Sequence, residues 1–427
     1  TRIAPMNAFE TTTLSNGLRV VTAPMEHAKS VACFIMIAAG SRYEQKSNNG
    51  IAHFAEHMFF KGTERRPTAR DIAGEIDSIG GEFNAFTGKE YTGYYVKCAA
   101  EHRDTALDVL VDMIRNSRFD PEEIEREKGV IVEEMNMYID TPRDYVDSVY
   151  DELLYGDQPL GWDIIGTKDT VRAATRDTFT DYIDQWYRAP RMVAGVGGAL
   201  GSDLIPMLED LLGDVPNGAT DARPDVSWSQ SGAQVRVHHK DSDQAHIRCG
   251  VHSYPLDHPD RYALGMLGTV LGGGMSSRLF TEVRERRGLA YYIFGMNHGY
   301  TDTGTLFAQS GVDIARIDEA ITTIRAEFNR IADEPVGTDE LEKARNYSKG
   351  RLVLGLEDPR GMIMFGLRGA VLENEVREPD DVLNALDGVS AEDIQRVAQD
   401  LISQDRFNLA LIGPFEDAEH FEGVLAA

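Results

Sequence analysis

The order of apolar and polar stretches runs through this chain twice, and that repetition constrains its fold more than any single residue. RDTFTDYIDQWYRAPRMVAGVGG at 176–198 and AEDIQRVAQDLISQDRFNLALIG at 391–413 share one plan. Each reads as an amphipathic helix, a short polar turn and an apolar strand. Upstream the match continues. GLRVVTA and VACFIMIAA in the first half correspond to QVRVHHK and AHIRCGVHSY in the second. Further on, GEFNAFTG and EYTGYYVKC correspond to AYYIFGMNH and GTLFAQSG. These runs are rich in β-branched and aromatic residues and bounded by turn formers, which predicts strands. The expected fold class is therefore α+β: two homologous α/β-roll domains, each a mainly antiparallel sheet packed with helices, with a cleft between them. At 427 residues the chain also exceeds what one core holds. PNGATDARPDVSWSQSG lacks periodicity and is rich in turn formers, so 216–232 is the expected linker between domains at 1–215 and 233–427.

Helices are expected near 101–116, 121–139, 144–154 and 168–187 in the first half, and around MSSRLFTEVRERR in the second. GSRYEQKSNNG reads as a polar loop. With 42% hydrophobic and 26% charged residues, the composition is that of a globular protein. No apolar run approaches the roughly 20 residues that span a bilayer. TRIAPMNAFE lacks the apolar stretch of a secretory leader and is set aside from fold reasoning. A formal charge of −27 argues against nucleic acid and anionic membrane surfaces as partners. Cys33, Cys98 and Cys249 lie in apolar strand-like runs without CxxC spacing, as buried thiols of a reducing compartment do.

The two halves differ in one respect that bears on chemistry. Only the first carries His53-Phe54-Ala55-Glu56-His57. On a helix, imidazoles four residues apart share one face, as two ligands of one metal must. Glu56 projects toward nearly the same face, which suits a base acting on metal-activated water rather than a ligand. A catalytic zinc site needs a third protein ligand. EEIEREKGVIVEEMNMY is the richest source of carboxylates: Glu127 and Glu134 are two helical turns apart and share a face. Glu133 is turned away from Glu134 by about 100°, and spacing alone leaves the choice between them open. If Glu134 reaches the metal, Glu127 comes near it as an orienting group. Gly272-Gly273-Gly274 fits no phosphate-binding frame and reads as a flexible turn. His238, His239, His246, His252 and His258 repeat no ligand spacing and read as strand and loop residues.

HFAEH, FFKGT and EREKGVIVEE together resemble the inverzincin peptidases of the pitrilysin and insulin-degrading type, family M16. The resemblance runs over nearly the whole chain and is nearest to the branch of the mitochondrial processing peptidase β-subunit and its bacterial relatives. It implies His53, His57 and Glu134 as ligands of one Zn²⁺ per chain, Glu56 as general base and Glu127 as a supporting carboxylate. It favours Glu134 over Glu133. It implies that Asn84-Ala85-Phe86-Thr87 is an edge strand to which an extended peptide adds its backbone. GGGMSSRLFTEVRERRGLAYY resembles the family's substrate-holding segment. There the resemblance implies Arg284 on a substrate carbonyl, Tyr291 on the oxyanion, and Phe280 on the same helix. Asp144 matches one of two acids by which that branch reads arginine; Ser148 stands at the other, with Asp147 adjacent. The activity implied is zinc-dependent endopeptidase cleavage of extended peptides or unfolded segments, by Glu-assisted attack of metal-activated water, in a clam-shell chamber of which this chain forms half. The alternative is a non-catalytic assembly subunit of a processing-peptidase-like complex. A homodimer is expected, or a heterodimer with a homologue lacking HxxEH. The expected location is the bacterial cytoplasm, or the mitochondrial matrix for a eukaryotic chain.

Overall fold

A computed structural model describes residues 7–426; residues 1–6, the start of the stretch set aside above, lie outside the described residues. Among the described residues two sheets form. The strands of the first are β1 (Glu10–Thr13), β2 (Arg19–Pro24), β3 (Ser30–Ile37), β4 (Glu82–Thr87), β5 (Thr92–Ala99) and β6 (Met192–Gly198). They run in the order β1-β2-β6-β3-β5-β4. All pairs are antiparallel except β2 with β6. The second sheet holds β7 (Gln234–His239), β8 (Gln244–Ser253), β9 (Ala290–Gly299), β10 (Gly304–Asp313) and β11 (Asn408–Gly413). Its order is β7-β11-β8-β10-β9, with β7 and β11 parallel. Position for position this is the first sheet without β1, so the repeat in the sequence is a repeat in topology. The class is mixed α+β, as the patterning requires.

The chain divides into two compact units, and neither is one continuous stretch. One takes residues up to Met135, Asp163–Pro224 and Val353–Pro379; the other takes Asn136–Trp162, Asp225–Leu352 and Asp380 onward. Each unit thus holds a helix from the other half of the sequence. In the first unit, helices including Ile51–Phe59 cover one sheet face, while helix Pro359–Leu372 covers the other. Its Ile363 and Leu367 are fully buried among Val21, Phe34, Met36 and Val193. Gly195 permits this approach, because a Cβ there would lie 2.4 Å from a Leu367 methyl. In the second unit, helix Pro142–Tyr155 buries Val146, Val149 and Tyr150 against Phe307, Ala410 and Ile412. The sequence reading assigns the 144–154 helix to the first half; the structure packs it in the second unit, since its apolar stripe fits the β10–β11 face.

Smaller differences have local causes. The 168–187 helix is two helices, Lys168–Ala173 and Arg176–Trp186, because Thr175 starts the second with a capping box of its own. The helix expected around MSSRLFTEVRERR contains a π-helical stretch, Phe280–Arg286. A helix at Leu204–Leu212, unread in the sequence, buries Leu204, Leu208 and Leu212. The three cysteines are free and buried.

One buried group makes the second unit sensitive to pH. His252 on β8 stacks face to face with Trp228, ring centroids 3.8 Å apart. Burial pulls its imidazole from 6.5 down to about 4. The unfolded chain therefore takes up a proton that the folded unit refuses. The contribution is complete above about pH 6.5 and is lost as pH falls through 4. Urea unfolding at pH 7.5 and 4.5, followed by tryptophan emission, should show a loss of about 2–3 kcal/mol. His252→Phe should remove that part of the pH dependence; an unchanged slope would sink the assignment.

Candidate metal centre

Helix Ile51–Phe59 turns Ile51, Phe54, Ala55 and Met58 into the core. That is the i, i+3, i+4, i+7 stripe of a half-buried helix, and it leaves His53, Glu56 and His57 together on the opposite face. The two imidazole rings are 4.7 Å apart, centroid to centroid. Helix Pro121–Ile139 buries Ile124, Glu127, Ile131 and Met135. With that face fixed, Glu134 meets the imidazoles while Glu133 is exposed. Glu134 Oε1 lies 3.7 Å from His53 Nε2, and Oε2 lies 3.4 Å from His57 Nε2. Single ligand atoms of His53, His57 and Glu134 all fall within 4.8 Å of one another.

The donor set fits zinc. Two imidazole nitrogens and one carboxylate are a catalytic zinc's usual protein ligands. Glu134 Oε2 is buried without a hydrogen-bond donor, which is costly unless a cation takes that place. Burial, with His57 as a neighbour, pulls His53 down to about 3, so it offers a neutral nitrogen. For His57 burial acts downward as well, but the Glu127 hydrogen bond and the nearby carboxylates outweigh it and leave the imidazole raised.

Around the triad two further contacts set orientation. Glu127, 5% exposed, places Oε1 2.9 Å from His57 Nδ1 and Oε2 2.6 Å from Lys61 Nζ. The far side of one imidazole is therefore held by a carboxylate that a lysine neutralises. Glu56 stands outside the triad. It accepts a hydrogen bond from the Thr87 hydroxyl, and burial raises its carboxyl against that bond. Thr87 ends β4, one of the two edge strands of the sheet. Along β4 the side chains alternate: Phe83 and Ala85 pack toward the core that carries the metal-site helix, and Phe86 toward the opposite face. Phe86 lies across Gly93, where a Cβ would come within 2.2 Å of its ring. Asn84 is exposed, and its side-chain oxygen accepts from the Ala85 amide at 2.9 Å.

The remaining site residues of the sequence reading belong to the second unit and form groups of their own. Arg284 lies over the Phe280 ring at 4.8 Å and the Tyr291 ring at 5.6 Å. Tyr291 is 76% exposed although large and aromatic. Asp144 is in the first turn of helix Pro142–Tyr155 and exposed. Asp147, which the sequence offers as a substitute acid, is instead engaged by the buried Arg248 at 2.6 Å. The sequence reading gives Lys61 no role, and gives Thr87 only a place in the peptide-binding strand, not its contact with Glu56. Lys61 sits one helical turn after His57, and that spacing was the available signal. No pattern ties Thr87 to Glu56, because the two are 31 residues apart.

Among the described residues no helix is long and apolar enough to cross a membrane. Residues 19–168 match the family model Insulinase (Peptidase family M16), and residues 173–348 match Peptidase M16 inactive domain. The uncharacterized zinc protease YmxG of Bacillus subtilis is 36% identical over 94% of this chain and 97% of its own length. An uncharacterized zinc protease of Rickettsia felis is 33% identical over 95% of this chain and 98% of its own. Among solved structures, a protease from Helicobacter pylori superposes with a TM-score of 0.88 at 23% identity, covering 96% of this chain and all of that one. A Pseudomonas fluorescens peptidase M16 inactive domain superposes at 0.86 and 18% identity, covering 96% and 98%. These two share the fold. With its repeated sheets, its HxxEH helix and relatives of this identity over nearly its full length, the chain belongs to the insulinase family, peptidase family M16.

Proposed function

We propose that this chain is a zinc metalloendopeptidase that cleaves extended peptides or unfolded segments. The observation that carries the reading is the convergence of His53, His57 and Glu134 within 4.8 Å, with Glu56 on the same helix face but outside the set. Those three side chains would hold one Zn²⁺. Bound there, the metal would lower the pKa of water and polarise the scissile carbonyl. Glu56 takes the proton of the attacking water and returns it to the leaving amine. Glu127 keeps His57 in the orientation that presents Nε2. A peptide adds to the β4 edge along Asn84, Ala85 and Phe86, which selects chains with free backbone groups. Arg284 holds a substrate carbonyl, Phe280 supports Arg284, and Tyr291 donates to the developing oxyanion. Asp144, exposed in the second unit, is the acid offered to a basic substrate side chain. The working assembly is a homodimer or a pair with a homologue lacking HxxEH.

Metal analysis and cleavage mapping of the purified chain with quenched peptides test this reading. One zinc per chain and cleavage of unstructured peptides are expected. Stoichiometric zinc with no cleavage of any peptide would leave the assembly subunit as the reading. Tyr291→Phe supplies a sharper check. Because the hydroxyl is exposed and structurally idle, melting should not change, while kcat should fall about 10²-fold with little change in KM. An unchanged kcat removes Tyr291 from the chemistry.

A further inference from the structure

The helix that carries both histidines begins without a cap of its own. A helix start leaves backbone N–H groups unsatisfied, and a Ser, Thr, Asp or Asn side chain usually accepts one of them. Here the residue before Ile51 is Gly50, at φ +95°. Glycine is required there: a Cβ would lie 2.6 Å from the Ile165 carbonyl oxygen. No residue with a capping side chain fits at that point. We propose that Glu44, six residues upstream, fills the gap and acts as the positioning residue of the metal centre.

Glu44 is 3% exposed, although it lies in the stretch that the sequence presents as a polar loop. Its Oε2 accepts from the Gly50 amide at 2.8 Å and from Asn49 Nδ2 at 2.9 Å, and its Oε1 accepts from the Ala52 amide at 2.7 Å. The Ala52 amide immediately precedes His53. One side chain therefore fixes both the start and the rotational phase of the helix. Asn49 is held in turn, donating to the Asp163 carbonyl at 3.0 Å.

The anchor is itself anchored. Ser41 and Arg42 donate their amides to the carbonyls of Gly88 and Lys89, at 3.1 and 2.8 Å. Arg42 and Glu90 form a buried ion pair at 2.9 Å. The segment holding Glu44 is thus tied to the turn that follows β4. Metal ligands need placement to about half an ångström, and a helix free to slip or rotate at its first turn would carry His53 out of register with Glu134. A carboxylate suits the task where an amide does not. Three donors converge on two oxygens, and glutamine would aim an NH₂ at one of them.

This inference rests on the zinc reading, and the experiment keeps the two apart. Zinc affinity of the full-length chain is measured by chelator competition for wild type, Glu44→Gln and Asn49→Ala, together with the visible absorption of the cobalt(II)-loaded forms. Glu44→Gln is expected to weaken zinc binding about 10–100-fold and to change the cobalt band, with circular dichroism unchanged. Asn49→Ala, which removes one donor of three, should fall between it and wild type. A folded Glu44→Gln chain with affinity within twofold of wild type and the same cobalt band overturns the proposal and leaves Glu44 a plain helix cap. Should Glu44→Gln fail to fold, Asn49→Ala decides: unchanged affinity and spectrum overturn it. A wild-type chain that binds no zinc sinks the metal reading and this one with it.

Discussion

Replacing Glu56 with glutamine should leave zinc bound and lower peptide cleavage about 10²–10⁴-fold. Both halves of that expectation follow from where Glu56 stands. It is on the ligand face of helix Ile51–Phe59, yet it is no member of the His53, His57 and Glu134 set. Losing its charge should therefore cost little metal. Glutamine keeps the size and an oxygen for the Thr87 hydroxyl, so the site's shape should survive. What it cannot do is accept a proton. The check is a paired measurement of zinc stoichiometry and kcat on wild type and E56Q. If E56Q cleaves at more than about a tenth of the wild-type rate, proton transfer by Glu56 is wrong. Loss of zinc together with activity would instead make Glu56 a ligand.

Leu367→Ala should destabilise the first unit by about 2–5 kcal/mol, although Leu367 lies deep in the second half of the sequence. Its side chain is fully buried with Ile363, Phe34, Met36 and Val193, and its methyl fills the space above Gly195. Truncation leaves a cavity that the sheet cannot close, because Gly195 has no side chain to move into it. Leu354→Ala is the control: at 60% exposure it should change stability by less than about 0.5 kcal/mol. Urea unfolding of both variants measures the difference. A cost below about 1 kcal/mol for Leu367→Ala would show that this helix is not part of the first unit's core.

Much of the metal centre is legible in the residues because its geometry is local. His53 and His57 are one turn apart, and the apolar stripe of Ile51, Phe54, Ala55 and Met58 dictates which face they share. Glu127 and Glu134 share a face for the same reason. The choice between Glu133 and Glu134 is different in kind. It depends on how helix Pro121–Ile139 is rotated, and that is set by the burial of Ile124, Ile131 and Met135. The contacts of Thr87 with Glu56 and of Glu44 with the start of the metal-site helix are not legible in the sequence, because no pattern connects those partners. Glu44 is the clearest case. GSRYEQKSNNG looks solvated by composition, but its Arg42 and Glu44 are buried and spent on internal partners.

By itself the sequence determined the repeated strand order, the α+β class and the pairing of two imidazoles with a carboxylate on one helix face. These follow from periods of two and of 3.6 residues, which neighbouring residues impose on one another. Only the tertiary structure decided that helices Pro142–Tyr155 and Pro359–Leu372 each pack in the unit of the other sequence half. It likewise decided that Asp147 is spent on Arg248 and that a buried carboxylate starts the metal-site helix. An amphipathic stripe states that a helix must be covered. Which sheet covers it depends on the shape of both surfaces, and that information exists only once the chain has folded.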